Sequence, residues 1–142
     1  MNRSMPPGVV IPVLAYRDVP EAVNWLCGAF GFVERLRIAS HRAQLSIGGG
    51  SVVITGLPED SYPIPPSGSH HSVMVCVADV QAHYERARQF GARIISAPAD
   101  YPYGERQYTA EDGGGHHWTF SQTIADVDPA VWGGTLIEPS ST

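Results

Sequence analysis

Lysine is absent from this 142-residue chain, and all nine of its basic residues are arginine. No Schiff-base or amine general-base chemistry is therefore open to a side chain here. Charge is sparse as well. Charged residues make up 16%, the formal net charge is −5, and no basic cluster offers a footprint for nucleic acid. Cysteine is limited to Cys27 and Cys76, which is no disulfide framework. Each lies in an apolar segment and reads as a buried free thiol. No apolar run approaches the roughly 20 residues that span a bilayer. Residues 1–8 lack the basic and apolar regions of a signal peptide. These absences lead us to expect a cytoplasmic protein with neither a nucleic-acid nor a membrane partner.

What is present is enough apolar material for a core, 43% of residues, in a length suited to one domain or two small repeated halves. Val9 to Ala15 is short and β-branched and reads as a strand, with Pro12 placing it at an edge. Asp18 with Glu21 forms a capping-box-like helix start, and Pro20 is tolerated in the first turn. Ala22, Leu26, Ala29 and Phe30 recur at helical spacing, and Gly31 supplies a left-handed stop. Strands are expected at 32–39, 43–47 and 51–55, with Gly48-Gly49-Gly50 as the last turn. Residues 57–69 hold four prolines and read as a linker.

The order then repeats. Ser72 to Val77 is a strand, Asp79 caps a second helix, and Val80, Tyr84, Ala87 and Phe90 share its inner face before Gly91 ends it. Strands follow at 92–97, 107–111 and 117–121. Asp18 and Asp79 stand 61 residues apart, and Gly31 and Gly91 stand 60 apart. This is an internal repeat of a βαβββ unit. The expected organisation is one domain over 1–142: a first unit at 9–56, the linker at 57–69, a second unit at 70–122, and a C-terminal arm at 123–142 carrying Trp132.

Three segments carry a resemblance: Tyr16-Arg17-Asp18-Val19-Pro20-Glu21-Ala22, Val77-Ala78-Asp79-Val80, and Glu111-Asp112-Gly113-Gly114-Gly115-His116. With Tyr103 to Tyr108 and His117-Trp118-Thr119-Phe120, they resemble the vicinal oxygen chelate superfamily, which includes glyoxalases, bleomycin resistance proteins and extradiol dioxygenases. The resemblance covers about Val9 to Gln122. It implies an α+β fold in which two tandem βαβββ units curve mixed sheets around a cavity. It also implies a bacterial protein and a homodimer that protects open sheet edges.

Metal-using members of that family place His, Gln or Glu in four slots. Counting from the shared turns puts those slots at Ile11, near Thr55 or Gly56, at Ser72 and at Thr119. None of these is a usual ligand, so we expect no metal and no cofactor. His70-His71 and His116-His117 are adjacent pairs whose members point to opposite faces of a strand. His41 and His83 read as loop and helix-surface residues, and Glu111 and Asp112 as turn-formers.

Strand alternation sends Val73, Val75, Val77, Trp118 and Phe120 toward the helices, and Ser72, Met74, Cys76, His117, Thr119 and Ser121 toward the cavity. The expected ligand-binding set is Val13, Ser72, Met74, His117 and Thr119, with Tyr101, Tyr103 and Tyr108 near the mouth. No catalytic residue is assigned. The first functional expectation is a small-molecule-binding protein that sequesters an aromatic or cationic compound such as an antibiotic. A metal-dependent lyase, isomerase or dioxygenase with atypical ligands is the alternative. A module without a ligand is the third.

Overall fold

The computed structural model describes residues 3–57 and 71–137. The expected linker falls outside this range apart from Leu57, as does His70. The first unit contains β1 (Val13–Tyr16), α1 (Val19–Phe30), β2 (Val33–Ile38), β3 (Arg42–Ile47) and β4 (Gly50–Gly56). The second contains β5 (Val73–Cys76), α2 (Val80–Gln89), β6 (Arg93–Tyr101), β7 (Glu105–Glu111) and β8 (His117–Thr123). A 3-10 turn at Pro129–Trp132 lies in the arm. The sheets repeat one topology, β1-β4-β3-β2 and β5-β8-β7-β6, with β1 parallel to β4 and β5 parallel to β8. The α+β fold of two tandem βαβββ units is therefore as the repeat implies, and Pro12 directly precedes an edge strand.

The helix ends follow local chemistry. The Asp18 carboxylate accepts from Glu21 N at 3.0 Å, and the Asp79 carboxylate accepts from Ala82 N at 3.1 Å. Each thereby satisfies an amide that has no partner within its helix. Gly31 closes α1 at φ 79°, a conformation glycine adopts without penalty.

Strands of the second unit outrun the expectation, with β7 starting at Glu105 and β8 ending at Thr123. β6 continues to Tyr101 although Pro98 interrupts it. Its pairing with β7 shifts register between Ser96 and Ala99, and β6 is an edge, so the missing amide costs no ladder bond.

The two units share one core on their helical sides. Phe30 lies against Trp118 and Phe120, and Phe32 packs on Trp118, with ring centroids 4.7–5.6 Å apart. The helices are tied reciprocally. Trp25 Nε1 donates to Phe90 O at 2.9 Å, and Arg86 Nε donates to Gly28 O at 2.7 Å. At the crossing a Cβ on Gly28 would lie 2.7 Å from the Phe90 ring, so the helices approach this closely only over glycine.

His83 sits in this joint, not on the helix surface where its spacing alone places it. Its Nε2 is 3.0 Å from Phe30 O, its Nδ1 meets the Tyr108 hydroxyl, and its ring lies 4.1 Å from that of Phe120. A carbonyl only accepts, so Nε2 carries the proton and Nδ1 accepts from the tyrosine. Burial lowers the His83 pKa, and the nearby Arg86 charge adds to this against the opposing pull of the Phe30 carbonyl. The folded state therefore holds His83 neutral, while the unfolded chain protonates it near pH 6.5. Stability should be flat with respect to this group above about pH 7. It should fall as pH drops below about 6.5, at up to about 1.4 kcal/mol per pH unit. Urea midpoints of wild type and His83→Gln between pH 7.5 and 5.5 test this. Equal slopes in the two proteins would refute it.

Candidate functional site

The faces of the sheets turned away from the helices are concave and differ in character. On the second sheet, register brings a polar floor together. Met74 lies opposite Thr119, and Cys76 opposite Ser121. Thr119 in turn faces Thr109, Ser121 faces Gln107, and His117 faces Glu111. Their neighbours along each strand, Val75, Trp118, Phe120, Tyr108 and Ala110, are buried beneath the helices.

The floor is hydrogen-bonded across strands. Thr109 and Thr119 share a bond of 2.9 Å. Gln107 Nε2 donates to Ser121 Oγ at 3.0 Å, and Ser121 Oγ donates to Glu105 at 2.6 Å. Glu111 receives Arg93 at 3.1 Å and lies 3.5 Å from His117 Nε2. Met74 stands over this floor 60% exposed, and Cys76 is exposed beside it. Neither Cys76 nor the half-buried Cys27 is the buried thiol its apolar segment suggested; Cys76 lies on the face of β5 turned away from the helices.

An aromatic wall rises at one end. Tyr101 and Tyr103 are stacked with centroids 5.5 Å apart, and Trp132 meets Tyr103 edge-on at 5.5 Å. The Tyr103 hydroxyl donates to Gln107 at 3.2 Å and joins wall to floor. Trp132 is carried there by the arm. Ile124 N and Ala125 N donate to Gly104 O, and a Cβ on Gly104 would lie only 2.1 Å from Ala125 O. Gly104 is also at φ 86°, so glycine is required twice over.

The expected ligand residues thus separate. Met74, His117 and Thr119 share the concave face, and Tyr101 and Tyr103 flank it. Ser72 is exposed just before β5. Val13 belongs to the first sheet, paired with Val53. Tyr108 does not reach the mouth: it is fully buried under α2, stacked on Phe120 and bonded to His83. Alternation along β7 is the signal that would have placed it there, and the same signal turns Glu105, Gln107, Thr109 and Glu111 to the floor.

Asp112 does form a turn, but it is also a buried hub only 5% exposed. Its Oδ1 accepts Gly114 N and His116 N at 3.0 Å, and its Oδ2 accepts Tyr16 OH at 2.5 Å and Trp118 Nε1 at 2.9 Å. Burial and the facing carboxylate push the Tyr16 pKa upward, so its hydroxyl stays protonated and donates. His116 Nε2 donates to Ala15 O at 2.8 Å, a second bridge between the units.

Two clefts flank these elements. One of about 450 Å³ runs between the lead-in to β1, the Gly48–Gly50 turn and β5, and shares Met74 and Cys76 with the floor. Another, of about 520 Å³, lies between the first turn of α1 and the 113–115 turn.

The donor set does not fit the family's usual metal. Ile11 precedes β1, and the Thr119 hydroxyl is engaged by Thr109. Among the described residues no group of three or more His, Cys, Asp or Glu is placed to hold an ion. His117 and Glu111 supply two donors at most. Among the described residues, too, no helix is long and apolar enough to cross a membrane.

Comparison with known proteins agrees with this geometry. The crystal structure of TioX from Micromonospora sp. ML1 is 36% identical, covers 82% of this chain and 99% of its own, and superposes with a TM-score of 0.67. A glyoxalase/bleomycin resistance protein/dioxygenase from Nocardioides shares the fold at 22% identity and a TM-score of 0.68, over 93% of this chain and 91% of its own. An uncharacterized protein of Mycobacterium tuberculosis is 28% identical over 128 residues, which is 82% of this chain and 75% of that protein. The family profile matches residues 8–120, from the lead-in to β1 through the core face of β8. The chain belongs to the Glyoxalase/Bleomycin resistance protein/Dioxygenase superfamily.

Proposed function

We propose that the protein binds a small aromatic or cationic compound, such as an antibiotic, on the concave face of its second sheet and sequesters it. The carrying observation is the meeting of the Tyr101–Tyr103–Trp132 wall with a floor that bears Glu105 and Glu111. Aromatic rings stack on flat ligands, and carboxylates favour a cationic substituent. TioX and the fosfomycin resistance protein FosX from Listeria monocytogenes share the fold, the latter at 15% identity.

The ligand site is closed by a second copy of the chain. The floor is open on its concave side, and Val13, Val33, Met74 and Ile95 expose large apolar side chains. A homodimer would cover these.

A tryptophan-fluorescence screen with flat cationic compounds tests the site. His117→Ala should leave thermal unfolding nearly unchanged, because His117 is partly exposed and its polar neighbour is 3.5 Å away. It should weaken a hit by about tenfold, the loss expected for one hydrogen bond to a ligand. Severe destabilisation with unchanged affinity would remove the site from this strand.

A further inference from the structure

The concave floor of the second sheet leads beyond β8. One row of side chains crosses it: Ala99 lies opposite Gln107, Gln107 opposite Ser121, and Ser121 opposite Cys76. Tyr103 joins the row at one end through its bond to Gln107. At the other end Cys76, with Met74 on the same strand, lines the cleft of about 450 Å³ between the two units. The two ends differ in chemistry. Glu105 stands beside the wall, paired across the strands with Tyr101. The cleft is lined by the buried Phe32, Val52 and Trp118 and by the more exposed Val10 and Ile47, and by no charged side chain among the described residues. Ser51 also lines it. That residue is 8% exposed, and its hydroxyl is buried without a hydrogen-bond partner among the described residues. Buried hydroxyls are normally paired, so an unmet one in a cleft wall marks a place for a ligand atom.

We propose that the ligand of this site is elongated: a flat cationic head rests at the Tyr101–Tyr103–Trp132 wall, and an uncharged aliphatic tail crosses β8 and β5 into the cleft between the units. This inference rests on the binding role proposed above for the wall and names the ligand class more narrowly. The wall stands on the β6–β7 hairpin, so the path to β5 crosses three strand spacings, about 14 Å. A compact ring system covers the wall and part of the floor without reaching the cleft. The division of charge follows the same path. Glu105 and Glu111 lie on the floor, where they favour a cation, whereas a charge carried into the cleft would be desolvated among apolar side chains. Met74 stands between the two regions, and its unbranched side chain adapts to a tail passing over it.

The test compares two flat cations of the same head, 10-ethylacridinium and 10-decylacridinium, by fluorescence titration of the full chain. Each methylene fully buried from water gains about fourfold in affinity, so a partly buried tail should make the decyl probe bind at least about thirtyfold more tightly. Val10 is 84% exposed at the cleft, so Val10→Asp should leave the fold intact. It should cut the decyl-to-ethyl affinity ratio at least about fivefold, because the tail would then have to desolvate a charge. Cys76 supplies a second reading. Saturating decyl probe should slow its reaction with N-ethylmaleimide at least about tenfold by denying access, and the ethyl probe should not. Cys27 serves as the internal reference, and peptide mass spectrometry separates the two thiols. Ethyl and decyl probes of equal affinity overturn the proposal and leave the wall as a binding site. So does a length effect that Val10→Asp does not reduce, or a Cys76 that the bound decyl probe leaves fully reactive. Failure of both probes to bind overturns the wall itself and this inference with it.

Discussion

Asp112→Ala should lower the unfolding free energy by about 3–5 kcal/mol, the range for breaking a buried charged network. Four donors converge on this carboxylate: two amides of its own turn, the Tyr16 hydroxyl and the Trp118 indole. Alanine leaves all four without an acceptor, and the two side chains are buried at 4% and 1% exposure. An unmet buried donor costs about 1–3 kcal/mol, so the loss exceeds that of any single hydrogen bond. Tyr16 comes from β1 and Trp118 from β8, so the damage reaches both units. Tyr16→Phe removes only one donor, leaves none orphaned, and should cost about 1 kcal/mol. Urea denaturation of the two variants checks this ordering. A loss below about 1.5 kcal/mol for Asp112→Ala would mean that water replaces the carboxylate and that the hub is not dry.

Phe30→Ala should cost a similar amount, about 3–5 kcal/mol, for a different reason. Phe30 is 1% exposed at the end of α1, and its ring touches Trp25, Phe32, His83, Trp118 and Phe120. Removing it opens a cavity where aromatic rings from the two units interlock, and rigid rings collapse poorly into such space. Phe30→Leu should recover much of the loss because it keeps most of the volume. Differential scanning calorimetry supplies the check. A small shift in melting temperature for Phe30→Ala would show that the units do not rely on this joint.

Much of the fold is legible in the sequence because its signals are local. Asp18 and Asp79 cap helices through amides three residues on, and Gly31 takes the left-handed turn its position requires. Alternation along β8 separates Trp118 and Phe120 from His117 and Thr119 correctly. What was not legible depends on contacts distant in sequence. α2 carries a thin apolar stripe, so His83 reads as a surface residue until α1 and Phe120 are laid against it. Tyr108 falls within the strand expected at 107–111 yet is grouped with Tyr101 and Tyr103 at the mouth, and alternation with Gln107 and Thr109 sends it under α2 instead. The acceptance of Tyr16 and Trp118 by Asp112 spans 96 residues in one direction and only six in the other. Nothing in an Asp-Gly-Gly-Gly run distinguishes such a hub from an ordinary turn.

The reciprocal tie between the helices has a consequence during synthesis. The last carbonyls of α1 are met by Arg86 and its Phe30 ring by Trp118 and Phe120, all belonging to the later half. At about 5–20 residues per second, a ribosome finishes β4 several seconds before Phe120 emerges. Through that interval the nascent first half presents Phe30 and Phe32 without the Trp118 and Phe120 rings that cover them in the folded chain. Such transiently exposed apolar surface is prone to non-native association until the second half arrives to bury it.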